Sequence, residues 1–330
     1  ASRGADYAVL GALAGVSLAE VAAAAWCVAG YHALGYRYGR PDVAVALKPI
    51  WLSSRPITAC NMVMPVVAGI DSLLLVNLAV WGGASRADAV AQYGLLTGAA
   101  NTVSTLPVVL TLAFVTLVVP VVSKWMAAKD IGGVRRGSKE TVEVVLALSV
   151  PCGVGLALLS ADVVGLLYPR LSTAEQAGAA NLLRVCAVGV PIIALEQVFN
   201  ALLQAVERSV TGAKQMAIGG AVKLVANLVL VPFWGMMGAA IASLLCYGTV
   251  LALHVATYCH LTGRYLLAKP LAATAFASLC MGVVLWALGR LLGDNTASVL
   301  LNILLGAAVY GIILWCAYGA KWWRNRRVGT

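Results

Sequence analysis

Acidic residues are scarce in this chain of 330 residues, 13 against 23 Lys and Arg, and charged residues of both signs make up only 11%. Soluble domains carry about a quarter of their residues as Asp, Glu, Lys and Arg, so an ordinary water-soluble globule is excluded. Several catalytic signatures are also missing. There is no Gly-Lys-Ser/Thr phosphate loop, no G-x-S-x-G elbow and no G-x-G-x-x-G turn following a strand, which removes the usual residues for ATP hydrolysis, serine-hydrolase chemistry and dinucleotide binding. The eight cysteines (Cys27, Cys60, Cys152, Cys186, Cys246, Cys259, Cys280 and Cys316) contain no C-x-x-C pair and lie in or beside apolar runs. They read as small buried apolar side chains, neither disulfides nor metal ligands. His32, His254 and His260 form no helical ligand pair with a carboxylate, so neither a metal site nor a cofactor is expected. Alternation of apolar and polar residues over about ten positions, the mark of a membrane β-barrel, is absent as well.

What the chain has is long continuous apolar sequence: 61% hydrophobic residues and a mean hydropathy of +0.90. A bilayer core about 30 Å thick takes roughly 20 apolar residues of helix per crossing. About nine such runs are present, near 6–33, 57–81, 95–122, 142–167, 176–205, 214–231, 237–260, 266–291 and 297–318. The fold class is therefore an all-α polytopic membrane protein.

Basic residues fall on alternate connections. One set holds Arg37, Arg40, Lys48, Arg55, Lys124, Lys129, Arg135, Arg136, Lys139, Arg208, Lys214, Arg264, Lys269, Lys321, Arg324, Arg326 and Arg327, seventeen of the 23. The opposite set holds Arg3, Arg86, Arg170 and Arg290, while Arg184 and Lys223 lie inside spans. The richer side is cytoplasmic by the positive-inside rule, which places the C-terminus inside and the first residue outside. The net charge of +10 is accounted for by that rule and by anionic phospholipids at the basic loops, with no nucleic-acid partner. An odd number of spans starting outside, with Ala1 in place of Met, is expected of the C-terminal portion of a larger transporter.

Charge inside a span costs about 2.5–3.5 kcal/mol at the helix centre, so such residues usually face a cavity or a partner. Asp71 lies about 21 Å into the second span, and Lys223 and Asn227 about 14 and 20 Å into the sixth, both counted from the cytoplasmic side. Ser243, entering from the opposite side, reaches a similar level. A lysine stem spans the difference, so Asp71 and Lys223 form a static bridge, form a coupling or gating element with Asn227 and Ser243, or do not meet. On the fifth span, Glu196 precedes Gln197, Asn200 and Gln204, whose i, i+3, i+7 spacing makes a polar stripe on one helical face. Such a stripe lines a hydrated cavity or bonds a neighbouring helix. Glu20, midway along the first span, is a further cavity-lining candidate without a partner in the sequence. Arg184 sits near the outer surface and snorkels. Pro65, Pro107, Pro120, Pro151, Pro191 and Pro232 fall inside the spans, where proline bends helices.

The segments AQYGLLTGAANTVSTLPVVLTLAFVTLVVPVVS, LLRVCAVGVPIIALEQVFNALLQAVER and AVKLVANLVLVPFWGMMGAAIASLLCYG resemble, in order, the C-terminal two-thirds of the stage V sporulation protein B branch of the multidrug/oligosaccharidyl-lipid/polysaccharide (MOP) exporter superfamily. That branch is similar to the lipid II flippases. The resemblance implies two six-helix lobes followed by two extra helices. Residues 1–35 would end a first lobe, 36–56 link the lobes on the cytoplasmic side, 57–262 form the second lobe, and 263–330 hold the extra helices and a basic tail.

The resemblance also implies a sodium site in the second lobe. Carried over by position, its carboxylate falls on Asp71, its two polar residues on Lys223 and Asn227, and its hydroxyl near Ser243. Lys223 stands where a neutral ligand is expected, which speaks against sodium coupling. In the third span, where those flippases place a cavity arginine, this chain has Asn101, Thr102, Ser104 and Thr105.

The implied function is translocation of an undecaprenyl-pyrophosphate-linked cell-envelope glycan precursor, lipid II or a relative, by alternating access and without covalent chemistry. Two alternatives remain open: a drug or small-molecule antiporter of the same fold, and a scaffold that recruits envelope-synthesis proteins through its basic loops. Asp42, Asp88, Asp130, Glu140 and Asp294 are isolated in loops, which disfavours an enzyme.

Overall fold

Continuous apolar sequence with good helix formers folds here as helices, because inside lipid a helix satisfies every backbone N–H and C=O within its own segment. The computed structural model describes residues 2–33, 35, 43–263, 268–292 and 296–326. Among them the order is α1 (Ser2–Ala33), α2 (Val43–Trp81), α3 (Arg86–Gly94), a π-helical segment (Leu95–Asn101), α4 (Thr102–Ala127), α5 (Ile131–Leu158) and α6 (Ser160–Leu167). There follow α7 (Thr173–Ala205), α8 (Ser209–Trp234), α9 (Met236–Thr262), α10 (Ala268–Leu292) and α11 (Thr296–Arg326), with no strand among the described residues. Seven stretches of these helices, from α2 to α10, are long and apolar enough to cross a membrane, and residues 301–315 of α11 form a shorter apolar stretch. The first expected span falls on α1 and the last on α11.

Three elements depart from the spans read by hydropathy. The second begins earlier, since α2 is helical from Val43; Ser53, Ser54 and Arg55 do not interrupt it, because side-chain polarity leaves the backbone ladder intact. The third forms one 42-residue stretch from Arg86 to Ala127 with a π-helical segment inside it. The fourth is broken at Leu159, whose φ of −93° and ψ of 18° leave the α region before α6 restarts. Hydropathy cannot show that break, because the residues on both sides are apolar.

Of the residues read as an inter-lobe linker, 36–42 lie outside the described residues. So do Arg37, Arg40, Arg264 and Arg327 of the charge count, and the side chains of Arg3, Lys48, Lys269, Arg290, Lys321, Arg324 and Arg326.

The chain divides into two units, 1–53 and 54–330. In the first, residues 17–33 of α1 are exposed, Glu20 among them. The second unit holds every other candidate residue. Lipid tails are as apolar as Leu, so its helices associate through close packing and buried polar contacts rather than through water release. One packed cluster joins Val122 of α4, Val142 and Leu146 of α5, Phe199 and Leu203 of α7 and Tyr258 of α9; the Phe199 and Tyr258 rings meet edge to face at 5.8 Å. A second cluster joins Leu78 of α2, Ala100 of the π-helical segment, Leu183 of α7, Val231 of α8 and Met236 of α9.

Helix ends are tied by polar contacts. The Asp130 carboxylate caps α5 by accepting from the Gly133 N–H at 2.9 Å, and Ser172 with Glu175 forms a capping box at the start of α7. Beyond the first turn of α5, Arg135 donates from Nε to the Thr262 carbonyl at the end of α9. Ser123 of α4 donates to the Ala205 carbonyl at the end of α7 at 3.4 Å.

Candidate functional site

Asp71 is on the buried face of α2, in register with Val67, Leu75 and Leu78. Four and seven residues apart, these positions share one side of a helix. On α8 the corresponding line is Gly220, Lys223, Asn227 and Val231, and Gly220 lets the two helices approach, since a Cβ there would press on the Val67 side chain. The close approach brings the polar residues together. Lys223 Nζ lies 2.5 Å from Asp71 Oδ2, with the two side chains 16% and 8% exposed. Asn227, fully buried, donates from Nδ2 to Asp71 Oδ1 at 2.8 Å. Both carboxylate oxygens are thus engaged by donors from one helix, and the group is close to electrically neutral. A single uncompensated charge at this depth would cost several kcal/mol.

Ser243 does not join them: its hydroxyl donates to the Ala239 carbonyl of its own helix at 3.1 Å. The cluster therefore has three members. Its residues do not fit a sodium ion, because the Lys223 ammonium already supplies the positive charge at the carboxylate and would repel a second cation at that distance.

A second polar contact lies between α7 and α9. Glu196 leaves the face of the Gln197, Asn200 and Gln204 stripe and turns inward, where its Oε1 lies 3.8 Å from His254 Nδ1, the two side chains being 3% and 0% exposed. Within the stripe, Gln204 donates to Asn200 Oδ1 at 3.4 Å, while Gln197 Oε1 is buried without a partner. All three stripe residues are only partly buried.

Asn101, Thr102 and Ser104 sit where the π-helical segment passes into α4. Asn101 and Thr102 are exposed and Ser104 is buried. The Thr102 hydroxyl donates to the Thr97 carbonyl at 3.2 Å, five residues back, as the wider turn dictates. Ser104 donates to the Asn101 carbonyl at 3.1 Å, and the Asn101 side chain accepts from the Cys186 thiol of α7 at 3.5 Å. Glu20 is exposed on α1 within the first unit.

Sequence reasoning missed several partners. His254 is one, because its carboxylate is on another helix; its only advance signal was a histidine in the middle of an apolar span. Tyr258 is another, its hydroxyl 2.6 Å from Ser138 Oγ across α5 and α9. Gln215 of α8 donates to Thr257 Oγ1 of α9 at 2.6 Å.

Comparison with known proteins agrees with this architecture. The family described as lipid II flippase MurJ matches residues 55–305. The lipid II flippase MurJ of Bacillus subtilis (strain 168) is 26% identical over 224 residues, which is 64% of this chain and 41% of that protein. Among solved structures, the inward closed conformation of lipid II flippase MurJ aligns with a TM-score of 0.66 and 19% identity, covering 78% of this chain and 52% of that one. An outward-facing multidrug resistance MATE family transporter of the MOP superfamily aligns with a TM-score of 0.50 and 16% identity, over 81% of this chain and 65% of that one. At these identities the two structures speak to fold alone. The chain spans about half or less of the length of its MurJ relatives.

Proposed function

The chain belongs to the lipid II flippase MurJ family, and we propose from that premise that it supplies the second lobe of a flippase. The cargo is an undecaprenyl-pyrophosphate-linked envelope precursor, lipid II or a close relative, carried from the cytoplasmic to the outer leaflet of the bacterial cytoplasmic membrane. The observation that carries this reading is the buried Asp71, Lys223 and Asn227 group within the family-matched region. Intramembrane charge of this kind marks transport pathways and moving elements in membrane proteins.

The orientation has structural support. Lys124, Lys129, Arg135, Arg136 and Lys139 flank the α4–α5 turn, and Arg208 and Lys214 flank the α7–α8 turn. The bonds from Arg135 to Thr262 and from Ser123 to Ala205 put those ends on one side of the bundle. That side is cytoplasmic, and its basic residues meet anionic lipid headgroups.

Flipping requires two states that open to opposite leaflets, and cargo shifts their balance only by binding them unequally. In this mechanism α2 and α8 move relative to each other, and the Asp71 to Lys223 contact, formed in one state and loosened in the other, sets part of the free-energy difference. The lobe needs no metal ion there, since the positive charge is tethered. No covalent bond is made or broken.

The test is growth rescue in bacteria depleted of their own lipid II flippase, using the complete reading frame of the gene. The parent is compared with the paired variant Asp71→Leu/Lys223→Met, which leaves neither charge buried alone. Rescue by the parent and loss of rescue by a variant present at equal membrane level is the expected result. A well-inserted parent that fails to rescue overturns lipid II as the cargo, and a variant that rescues fully removes the role given to the pair.

A further inference from the structure

Buried polar atoms in native proteins almost always find hydrogen-bond partners. Glu196 and His254 break that rule together: Glu196 Oε1 and both ring nitrogens of His254 are buried without one. The carboxyl oxygen and Nδ1 face each other at 3.8 Å, beyond the usual limit of about 3.2 Å. If Glu196 were ionised opposite a neutral imidazole, the pair would carry a net negative charge at a buried site, which is costly. One added proton makes the pair neutral.

We propose that Glu196 and His254 form a proton-binding site inside the second lobe, holding one exchangeable proton on the Glu196 carboxyl with the His254 ring as its acceptor. A relative shift of α7 and α9 by about 1 Å would close the gap to hydrogen-bond distance. Opening it to water lets the acid O–H break, the proton pass to water and the carboxylate be hydrated, and the reverse step restores the acid. The site is separate from the Asp71 group and was not part of the polar stripe.

Among the described residues, the surroundings offer no other ion to do this work. On α9, Cys246 and Tyr247 interact electrostatically with Glu196, and both are neutral near pH 7 by their ordinary chemistry. Asp71 of α2 and Lys223 of α8 reach Cys246, but they are paired with each other. The backbones of Gly212 on α8 and of Glu196 itself approach the His254 ring, neither with hydrogen-bond geometry. On α5 the ionisable residues are Arg135, Arg136, Lys139, Glu140 and Glu143 in its first half and Cys152. Between Thr102 and Ser123, α4 has none, and the π-helical segment has none. Asp162 is on α6. The phenol of Tyr258, one turn beyond His254, is spent on Ser138.

This inference rests on the transport reading only for what the proton would drive, so its test uses no cargo. The complete protein is purified, placed in lipid nanodiscs and titrated by infrared spectroscopy, with Glu196→Gln subtracted as the reference. A carboxylic-acid C=O band that depends on Glu196 and disappears reversibly as the pH rises is expected, with its midpoint displaced about tenfold or more in proton concentration by His254→Gln. No Glu196-dependent band at any pH where the protein stays folded overturns the proposal, and so does a band whose midpoint His254→Gln leaves in place. Should that variant not fold, nitrogen-15 histidine spectra of the parent replace it: a ring signal moving with the infrared midpoint supports the site, and one indifferent to it overturns it. Failed growth rescue alongside a positive titration would sink the lipid II reading and leave the proton site standing.

Discussion

Gly82, just past the end of α2, lies so close to Pro232 of α8 that a Cβ at position 82 would overlap the proline's carbonyl oxygen and Cα. The neighbour is backbone rather than a movable side chain, so a larger residue must push the helices apart. Gly82→Ala is expected to destabilise the protein by about 1–3 kcal/mol, the range for overpacking. Gly69→Ala on the same helix, with nothing within 4 Å of the added methyl, is the control and should leave the melting temperature unchanged or slightly raised. Melting curves in detergent decide between them.

How far the sequence discloses this bundle is clear from particular residues. The contact of Asp71 with Lys223 was accessible because both depths follow from helical rise and the reach of a lysine is known. Ser243 was assigned a depth similar to that of Asp71, yet depth does not say whether a hydroxyl looks across to another helix or back to its own, and here it binds Ala239. The i, i+3, i+7 spacing set Glu196 off from Gln197, Asn200 and Gln204, but which way it faces depends on the rotation of α7, set by packing against α5 and α9, which no local pattern records. The partnership with His254 spans two helices for the same reason. The break at Leu159 and the π-helical turn change the backbone without changing hydropathy, so the apolar run carries no trace of either.

Removing one charge from the α2–α8 pair should cost more than removing both. Asp71→Asn and Lys223→Asn each leave a buried partner uncompensated, with an expected loss of about 3–5 kcal/mol, whereas Asp71→Leu/Lys223→Met should stay near the parent. Sodium separates the roles further. With Lys223→Asn the carboxylate regains room for an external cation, so sodium should raise the melting temperature of that variant over potassium and leave the parent unmoved. Equal melting of all forms would reduce the pair to a surface-like contact.

The π-helical turn from Leu95 to Asn101 contains one residue more than an α-helix of the same pitch would hold. Deleting Thr97 should remove that extra residue and convert the turn to α-helix, leaving α3 and α4 nearly in phase but abolishing the widened turn. The bond from the Tyr168 hydroxyl to the Gly98 carbonyl, 2.9 Å, would be lost. The expected outcome is normal membrane insertion with loss of growth rescue. Retained rescue would mean the turn is dispensable.

Across α5 and α9, Tyr258→Phe should cost about 1 kcal/mol by removing the bond to Ser138. Ser138 also donates to the Val134 carbonyl at 2.7 Å, so it is not left bare. In a double-mutant cycle with Ser138→Ala the second change should add little, and full additivity would show the two hydroxyls to be uncoupled.

The carboxylate on α2 meets its donors late in the life of the chain. Asn227 follows Asp71 by 156 residues, and Lys223 lies one turn before it, so α2 enters the bilayer long before the helix that neutralises it is synthesised. Until then the insertion cost of about 2.5–3.5 kcal/mol for a central Asp falls on the flanking apolar run of α2 alone. The leucines after Asp71 therefore serve membrane biogenesis as well as packing, and a nascent chain stalled before α8 would hold α2 in the bilayer with its charge unanswered.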